Sequence, residues 1–89
     1  MEIKNGKGLI KEYDYDNELI FESEYLNGER NGKGKEYHDG KLIFKGEYYK
    51  DFRLKGKIYV NKKLEFEGEF LFDRKYDGKG YDEFGNIIY

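Results

Sequence analysis

Apolar and polar residues alternate along two segments of this chain, which is the pattern of β-strands with one buried face. In the first segment the more apolar face consists of Leu42, Phe44, Gly46 and Tyr48. Its opposite face consists of Ile43, Lys45, Glu47 and Tyr49. In the second segment, Leu64, Phe66, Gly68, Phe70 and Phe72 alternate with Glu65, Glu67, Glu69 and Leu71. We expect both segments to lie in an antiparallel meander.

The two segments belong to an internal repeat that extends toward both ends of the sequence. Residues 33–48 and 55–70 align without a gap, 22 positions apart. We divide the chain into four units, roughly 5–30, 31–53, 54–76 and 77–89. The first unit has a longer turn and the last is one short hairpin. This periodicity predicts an all-β fold: a single domain, residues 1–89, forming an elongated, twisted antiparallel β-meander of about four tandem hairpins.

Turn-forming residues separate the two predicted strands of each unit. They are Asp14–Asn17, Asp39–Gly40, Asn61–Lys62 and Gly85–Asn86. Such residues tolerate the positive φ of tight hairpins. Between units we expect longer links, at Leu26–Asn31 and Phe72–Asp77. Because glycine weakens a strand interior, we expect Gly46 and Gly68 to make room for a ring from the neighbouring strand, with Ser23 in that place in the first unit.

The repeated motif resembles the MORN repeat, and the resemblance covers nearly the whole chain. An aromatic-x-Gly-Glu-aromatic sequence occurs at residues 44–48 and 66–70. Residues 26–34 read Leu-Asn-Gly-Glu-Arg-Asn-Gly-Lys-Gly, which matches the link of that family. Two other links differ, because Phe52 and Phe72 stand where the family tends to have glycine.

The resemblance implies a twisted single sheet with aromatic rings lining a groove. Members of the family mostly act as assembly or targeting modules, some have been linked to phospholipids, and similar bacterial repeats are described as antitoxins or immunity proteins. We therefore expect a non-catalytic protein-binding or scaffolding module that uses the aromatic groove or an open terminal strand. The alternatives are a phospholipid-surface binding module and an antitoxin or immunity-type protein.

Composition narrows the classes of function. Aromatic residues make up 19% and charged residues 40% of the 89 positions, which predicts a folded chain with a thin, aromatic core. The net charge of −2, spread along the sequence, argues against nucleic-acid binding. Cysteine is absent, so no disulfide or thiolate metal site is expected. Residues 1–10 lack the features of a signal or transit peptide and no apolar run would span a membrane, so we expect a cytoplasmic location.

Few residues suggest catalysis. The single serine, Ser23, takes a structural position and the single histidine, His38, lies in a predicted turn. Glu67 and Glu69 share a strand face, but we expect them to form cross-strand ion pairs. The oxygen-rich residues 14–18 lack the spacing of a calcium-binding loop. The sequence therefore predicts no enzymatic activity, no cofactor and no metal site.

Contact with a protein partner is the interaction that we predict. Large side chains opposite the Phe44 stripe or in a link are the candidates: Ile43, Tyr49, Phe52 and Leu71. Exposed aromatic side chains suit protein recognition, although this face could instead pack beneath a link. We also expect end-to-end self-association through unpaired terminal strands. An anionic lipid surface is the alternative, near Lys55, Lys57, Lys62 and Lys63.

Overall fold

The computed structural model describes residues 7–89, and it contains one antiparallel sheet in which every strand pairs with its neighbours in sequence. The strands are β1 Lys7–Tyr13, β2 Leu19–Leu26, β3 Glu29–His38, β4 Lys41–Tyr49, β5 Phe52–Val60, β6 Lys63–Leu71 and β7 Arg74–Gly80. The predicted all-β meander is confirmed. Asn5 and Gly6, with which we expected the first unit to begin, lie outside the described residues.

Two-residue turns join the strands from β2 to β7. Both residues of each turn have positive φ: Asn27–Gly28, Asp39–Gly40, Lys50–Asp51, Asn61–Lys62 and Phe72–Asp73. Positive φ at both positions is typical of type I′ hairpins, whose twist matches that of the strands. The expectation of longer links between units is therefore wrong, since Glu29 already pairs with Leu26 across the first of these turns.

The turn between β1 and β2 and the turn after β7 are longer, and in both an aspartate side chain accepts hydrogen bonds from the backbone. Asp14 Oδ1 accepts hydrogen bonds from the amides two and four residues further along, at 2.9 and 3.0 Å. Asp82 Oδ1 accepts the equivalent bonds, from the amides of Phe84 and Asn86, both at 2.9 Å. Bonds from the Asn86 backbone, and then from Phe84, lower the pKa of the Asp82 carboxyl. The oxygen-rich first turn thus uses its first carboxylate to hold its own backbone.

A β-bulge in each even-numbered strand from β2 to β6 changes the face on which residues lie. The extra residues are Ile20, Ile43 and Glu65. In β4, Phe44 pairs with Glu36 but Leu42 pairs with Tyr37. Because Glu36 and Tyr37 point to opposite faces, so do Phe44 and Leu42. The predicted stripe is therefore wrong at its first residue, and the copy in β6 behaves in the same way.

Aromatic rings on one face of the sheet form the core. Four of them are at most 5% exposed: Phe44, Tyr48, Phe66 and Phe70. The Phe44 ring meets Tyr48 and Phe70 edge-to-face, with ring centres 5.6 and 5.5 Å apart. Burial stabilises the fold by roughly 1.5–3 kcal/mol for each such side chain, and edge-to-face contacts add to that. This single layer of rings is the thin aromatic core that the composition predicted.

Glycines let this core lie close to the backbone. A Cβ on Gly46 would lie 2.6 Å from Gly56 Cα and 2.9 Å from Phe44 Cζ. The ring over Gly46 therefore comes from its own strand, not from a neighbouring strand as we expected, and the paired backbone also excludes a side chain. Gly34 does lie beneath a ring from a neighbouring strand, because a Cβ on Gly34 would lie 2.7 Å from the ring of Tyr48 on β4.

Candidate interaction surfaces

The four predicted contact residues do not form one surface. Tyr49, Phe52 and Leu71 lie beside the turns that link the units, and they are 54%, 42% and 53% exposed. Ile43 is only half-buried but lies six residues from Tyr49 along β4, which is about 20 Å. Its position in the bulge also removes it from the alternation that placed it beside Tyr49. The structure therefore brings together three of the four.

Phe72 joins these three residues, and we call Tyr49, Phe52, Leu71 and Phe72 the link-end cluster. Tyr49 pairs with Phe52 across the β4–β5 hairpin. The Phe52 ring meets the Phe72 ring edge-to-face, with centres 5.4 Å apart. Phe72 directly follows Leu71 and is 68% exposed. The alternation had placed Phe72 on the buried face, but it lies in a turn, in the place that Asn27 holds in the first link.

The backbone at Phe72 adopts a conformation that the side chain does not favour. Its φ is 50°, and Asn27 and Lys50 hold the same place in the two preceding link turns. Asparagine tolerates this left-handed region, whereas a bulky residue there costs about 1–2 kcal/mol. An exposed phenylalanine therefore occupies a strained position where a small polar residue would make the same turn.

A polar cluster of Glu36, Tyr48 and Arg53 covers the aromatic core of the second unit. Glu36 accepts hydrogen bonds from the Tyr48 hydroxyl and from Arg53 Nε and Nη2, the last two at 2.8 and 2.9 Å. The Arg53 guanidinium also lies 4.6 Å from the centre of the Phe44 ring. Burial, and then the bond to Glu36, raises the pKa of Tyr48. Burial alone would lower the pKa of Arg53, but its bonds to Glu36 raise it.

The first unit repeats this cluster. Glu12 accepts hydrogen bonds from the Tyr25 hydroxyl at 2.5 Å and from Arg30 Nη2 at 3.1 Å. Arg30 lies 3.7 Å from the centre of the Phe21 ring. Burial, and then the bond to Glu12, raises the pKa of Tyr25 to about 12. Because these carboxylates are fully engaged with arginine and tyrosine, their arrangement is that of a structural ion pair.

The third unit changes the three polar residues of the cluster and the bulge residue together. Ile58 replaces Glu36 and Glu65 replaces Ile43, while Phe70 replaces Tyr48 and Lys75 replaces Arg53. Lys75 Nζ donates to Glu65 Oε1 at 2.6 Å and lies 5.2 Å from the Phe66 ring centre. In the third unit the carboxylate therefore belongs to the bulge residue, Glu65. Phe70 lacks the hydroxyl group with which Tyr48 donates a hydrogen bond to Glu36. These clusters cover the rings of Phe44, Tyr48, Phe66 and Phe70, which are at most 5% exposed.

The open groove lies on the opposite face of the sheet. Its volume is about 700 Å³, and Lys35, Lys45 and Lys57 cross its floor on adjacent strands. Lys57 lies 4.0 Å from Glu67, one of several cross-strand ion pairs that support the expected salt lattice. Lys62, by contrast, lies at the far end of the hairpin from Lys55, so the four predicted lipid-binding lysines do not form one patch.

The outer side of β7 is partly covered by the last residues of the chain. Ile87 pairs with Tyr81, and the Ile88 amide donates to the Gly80 carbonyl at 2.9 Å. Along Arg74–Lys79, no strand within residues 7–89 pairs with the outer side of β7. Within residues 7–89, this stretch of β7 is therefore an open edge of the sheet.

The residues considered for catalysis lie apart. Ser23 is fully buried in the glycine row, opposite Gly34, and its Oγ has no hydrogen-bond partner among the described residues. His38 is exposed at the end of β3, beside Asp39. Glu67 accepts a hydrogen bond from the Tyr81 hydroxyl at 2.9 Å. Within residues 7–89, no three acidic or histidine side chains converge as metal ligands would.

The described part of the chain includes no helix with the length and apolar character that crossing a bilayer requires. Comparison of the sequence and structure with protein-family models, curated proteins and solved structures gave no match.

Proposed function

We propose that this protein is a non-catalytic protein-binding or scaffolding module and that the link-end cluster contacts its protein partner. The observation that carries the proposal is Phe72. Its ring is 68% exposed and its backbone has φ 50°, so it gives the fold little and costs it strain. Strained residues persist mainly where they serve a function.

The neighbours of Phe72 support the same function. Phe52 holds the Phe72 ring edge-to-face, which limits the side-chain entropy that binding would remove. Lys50 Nζ lies 5.5 Å from the Tyr49 ring centre, so a cation borders the aromatic surface. In protein interfaces, aromatic side chains at the centre of the contact, surrounded by a polar rim, often contribute most of the binding energy.

The test compares two double variants of the full chain. Phe52→Ser with Phe72→Ser removes the rings of the link-end cluster. Tyr15→Ser with Phe84→Ser removes two rings that are even more exposed, at the first and last turns. A partner is captured from the source lysate with the wild-type chain, identified, purified and titrated against all three proteins by calorimetry.

We expect the cluster variant to lose affinity by at least about tenfold, as for truncation of a central aromatic contact, and the control variant to bind like the wild type. Equal losses in both variants would contradict the assignment of the site. Binding of the wild type to phosphatidylserine vesicles, abolished by salt, with no stoichiometric protein partner would instead favour the phospholipid function.

A further inference from the structure

We infer that the open groove on the face opposite the core binds a short phosphate chain, that of tripolyphosphate or of a nucleoside triphosphate, along Lys35, Lys45 and Lys57. These lysines come from three adjacent strands and line the groove together. The inference does not depend on the proposed protein-binding function, because the groove and the link-end cluster share no residue. It rests on a break in the charge pattern of the sheet.

A row of charged side chains crosses the sheet, with one residue from each strand. From β1 to β7 each member pairs directly with the next: Lys11, Glu22, Lys35, Lys45, Lys57, Glu67 and Lys79. Basic and acidic residues alternate along this row except at Lys45. Opposite charges across two strands stabilise a sheet, whereas like charges directly opposite each other destabilise it. Lys45 therefore places three basic side chains in succession at a cost to the fold.

The internal repeat shows that lysine is the exception at this position. Lys45 corresponds to Glu67 at an offset of 22 positions, and to Glu22 in the first unit. Each of these glutamates has a lysine opposite it on both neighbouring strands. A glutamate in the second unit would complete the alternation. A residue that departs from the stabilising pattern without a gain for the fold is expected at a functional site.

Lys35 and Lys45 have no counter-ion among residues 7–89. The ion pairs of this part of the chain all involve other side chains. The glutamates that line the groove, by contrast, have partners: Glu22 lies 3.7 Å from Lys11, Glu47 lies 3.5 Å from Lys55, and Glu24 accepts a hydrogen bond from the Lys33 amide at 2.5 Å. The groove thus contains positive charge that an anionic ligand would neutralise.

The dimensions of the groove fit a chain of phosphate groups. Adjacent strands lie about 4.8 Å apart, so three successive lysines span about 10 Å. The groove volume of about 700 Å³ is within the range of small-molecule sites, about 300–1,000 Å³. Lysine binds phosphate as a point charge, without the fork geometry of arginine. The row therefore selects a ligand by its charge, and a phosphate chain carries negative charge on each of its successive groups.

The test titrates tripolyphosphate into the full chain by calorimetry at low salt. The double variant Lys35→Gln with Lys45→Gln removes two charges from the groove. The control variant, Lys41→Gln with Lys62→Gln, removes two exposed lysines that do not line it. We expect the groove variant to bind at least about tenfold more weakly, since two hydrogen bonds to charged groups are lost, and the control variant to bind like the wild type.

A single substitution separates binding from stability. Lys45→Glu completes the alternation of charge, so it should raise the midpoint of urea denaturation. The same substitution should abolish tripolyphosphate binding, because it places a carboxylate in the middle of the row. Weaker binding in this variant accordingly cannot be due to loss of the fold. A variant that binds tripolyphosphate like the wild type would overturn the inference.

Two further results would also overturn it: equal losses of affinity in the groove and control variants, or no binding by the wild type at low salt. Adenosine triphosphate without Mg²⁺ distinguishes the two sources of the phosphate chain. Tighter binding than that of tripolyphosphate would support a nucleotide, and equal binding would support a free phosphate chain. The Phe52→Ser and Phe72→Ser variant should bind tripolyphosphate like the wild type, so failure of the proposed function would leave this result unchanged.

Discussion

The protein contains two groups of large apolar side chains that differ in what covers them. In the core, Phe44 and Phe66 are at most 2% exposed, although the sheet has no second layer within the described residues. In the link-end cluster, Phe52 and Phe72 are 42% and 68% exposed, although they contact each other in the same edge-to-face geometry. Ring-to-ring contact therefore does not distinguish core from surface here.

The difference lies in the charged side chains that cover the core. Arg30, Arg53 and Lys75 each lie over an aromatic ring while bonded to a carboxylate. In the link-end cluster, Lys50 borders the Tyr49 ring without covering it. We therefore expect substitutions in the first group to change stability and substitutions in the second to change binding.

Truncation of the central core ring should have the largest effect. Phe44→Ala removes a fully buried ring that contacts Tyr48 and Phe70, and it should lower the free energy of unfolding by about 3–5 kcal/mol. Tyr49→Ala, the exposed neighbour of the core on the same strand, should change it by less than about 0.5 kcal/mol. Urea denaturation followed by circular dichroism measures both, and similar losses would refute the distinction between the two groups.

Removing Glu36 from the polar cluster should lower the free energy of unfolding almost as much. The third unit indicates which further substitutions should restore it. Glu36→Ile leaves the Arg53 guanidinium and the Tyr48 hydroxyl without their acceptor, which should cost about 3–5 kcal/mol. Adding Ile43→Glu, Tyr48→Phe and Arg53→Lys recreates the set found in the third unit. This fourfold variant should regain most of the loss in the same denaturation assay; if it is no more stable than Glu36→Ile, the four positions do not act together.

Alkaline pH should weaken the core through the buried tyrosines. The pKa of Tyr25 is raised to about 12 and that of Tyr48 is raised as well, so the folded state favours their neutral forms. Their stabilising effect is fully present below pH about 10, the unfolded value, and is lost as pH rises toward the folded values. Stability should therefore fall between pH 10 and 12, and Tyr48→Phe should reduce that fall. A pH-independent stability across this range would contradict the prediction.

Substitution of Ser23 by alanine should have a smaller effect on the free energy of unfolding, and it should be stabilising. Its hydroxyl is buried without a hydrogen-bond partner among the described residues, and desolvation of such a group costs free energy. Ser23→Ala should raise the free energy of unfolding by about 1 kcal/mol, measured by urea denaturation. Ser23→Thr, which keeps the hydroxyl and adds a methyl group in a filled site, should lower it.

The strands, most of the turns and the importance of the glycines could be predicted from the sequence because they are local or periodic. Residues 42–48 and 64–70 do form paired strands, and Gly46 does lie beneath a ring, that of Phe44. The bulge at Ile43 could not be predicted, because it depends on how two strands pair and does not show in the sequence of either strand alone.

The polar clusters were also missed, for a related reason. Glu36 and Arg53 are 17 positions apart, and charged residues in a sequence with 40% charge are expected at the surface. The signal that could have found them is the joint change at four positions between units. For the candidate site, the sequence proposed Ile43, Tyr49, Phe52 and Leu71 as contact residues, and period-2 alternation could not show that Phe72 leaves the strand for a turn.

The most direct test of the account measures stability and partner affinity on the same protein, the Phe52→Ser and Phe72→Ser variant. Both rings are exposed and their edge-to-face contact is worth about 0.5–1.5 kcal/mol, so the free energy of unfolding should fall by no more than about 1.5 kcal/mol. Affinity for the partner should fall at least about tenfold. A destabilised variant that binds its partner with wild-type affinity would contradict the account, because the link-end cluster would then belong to the fold.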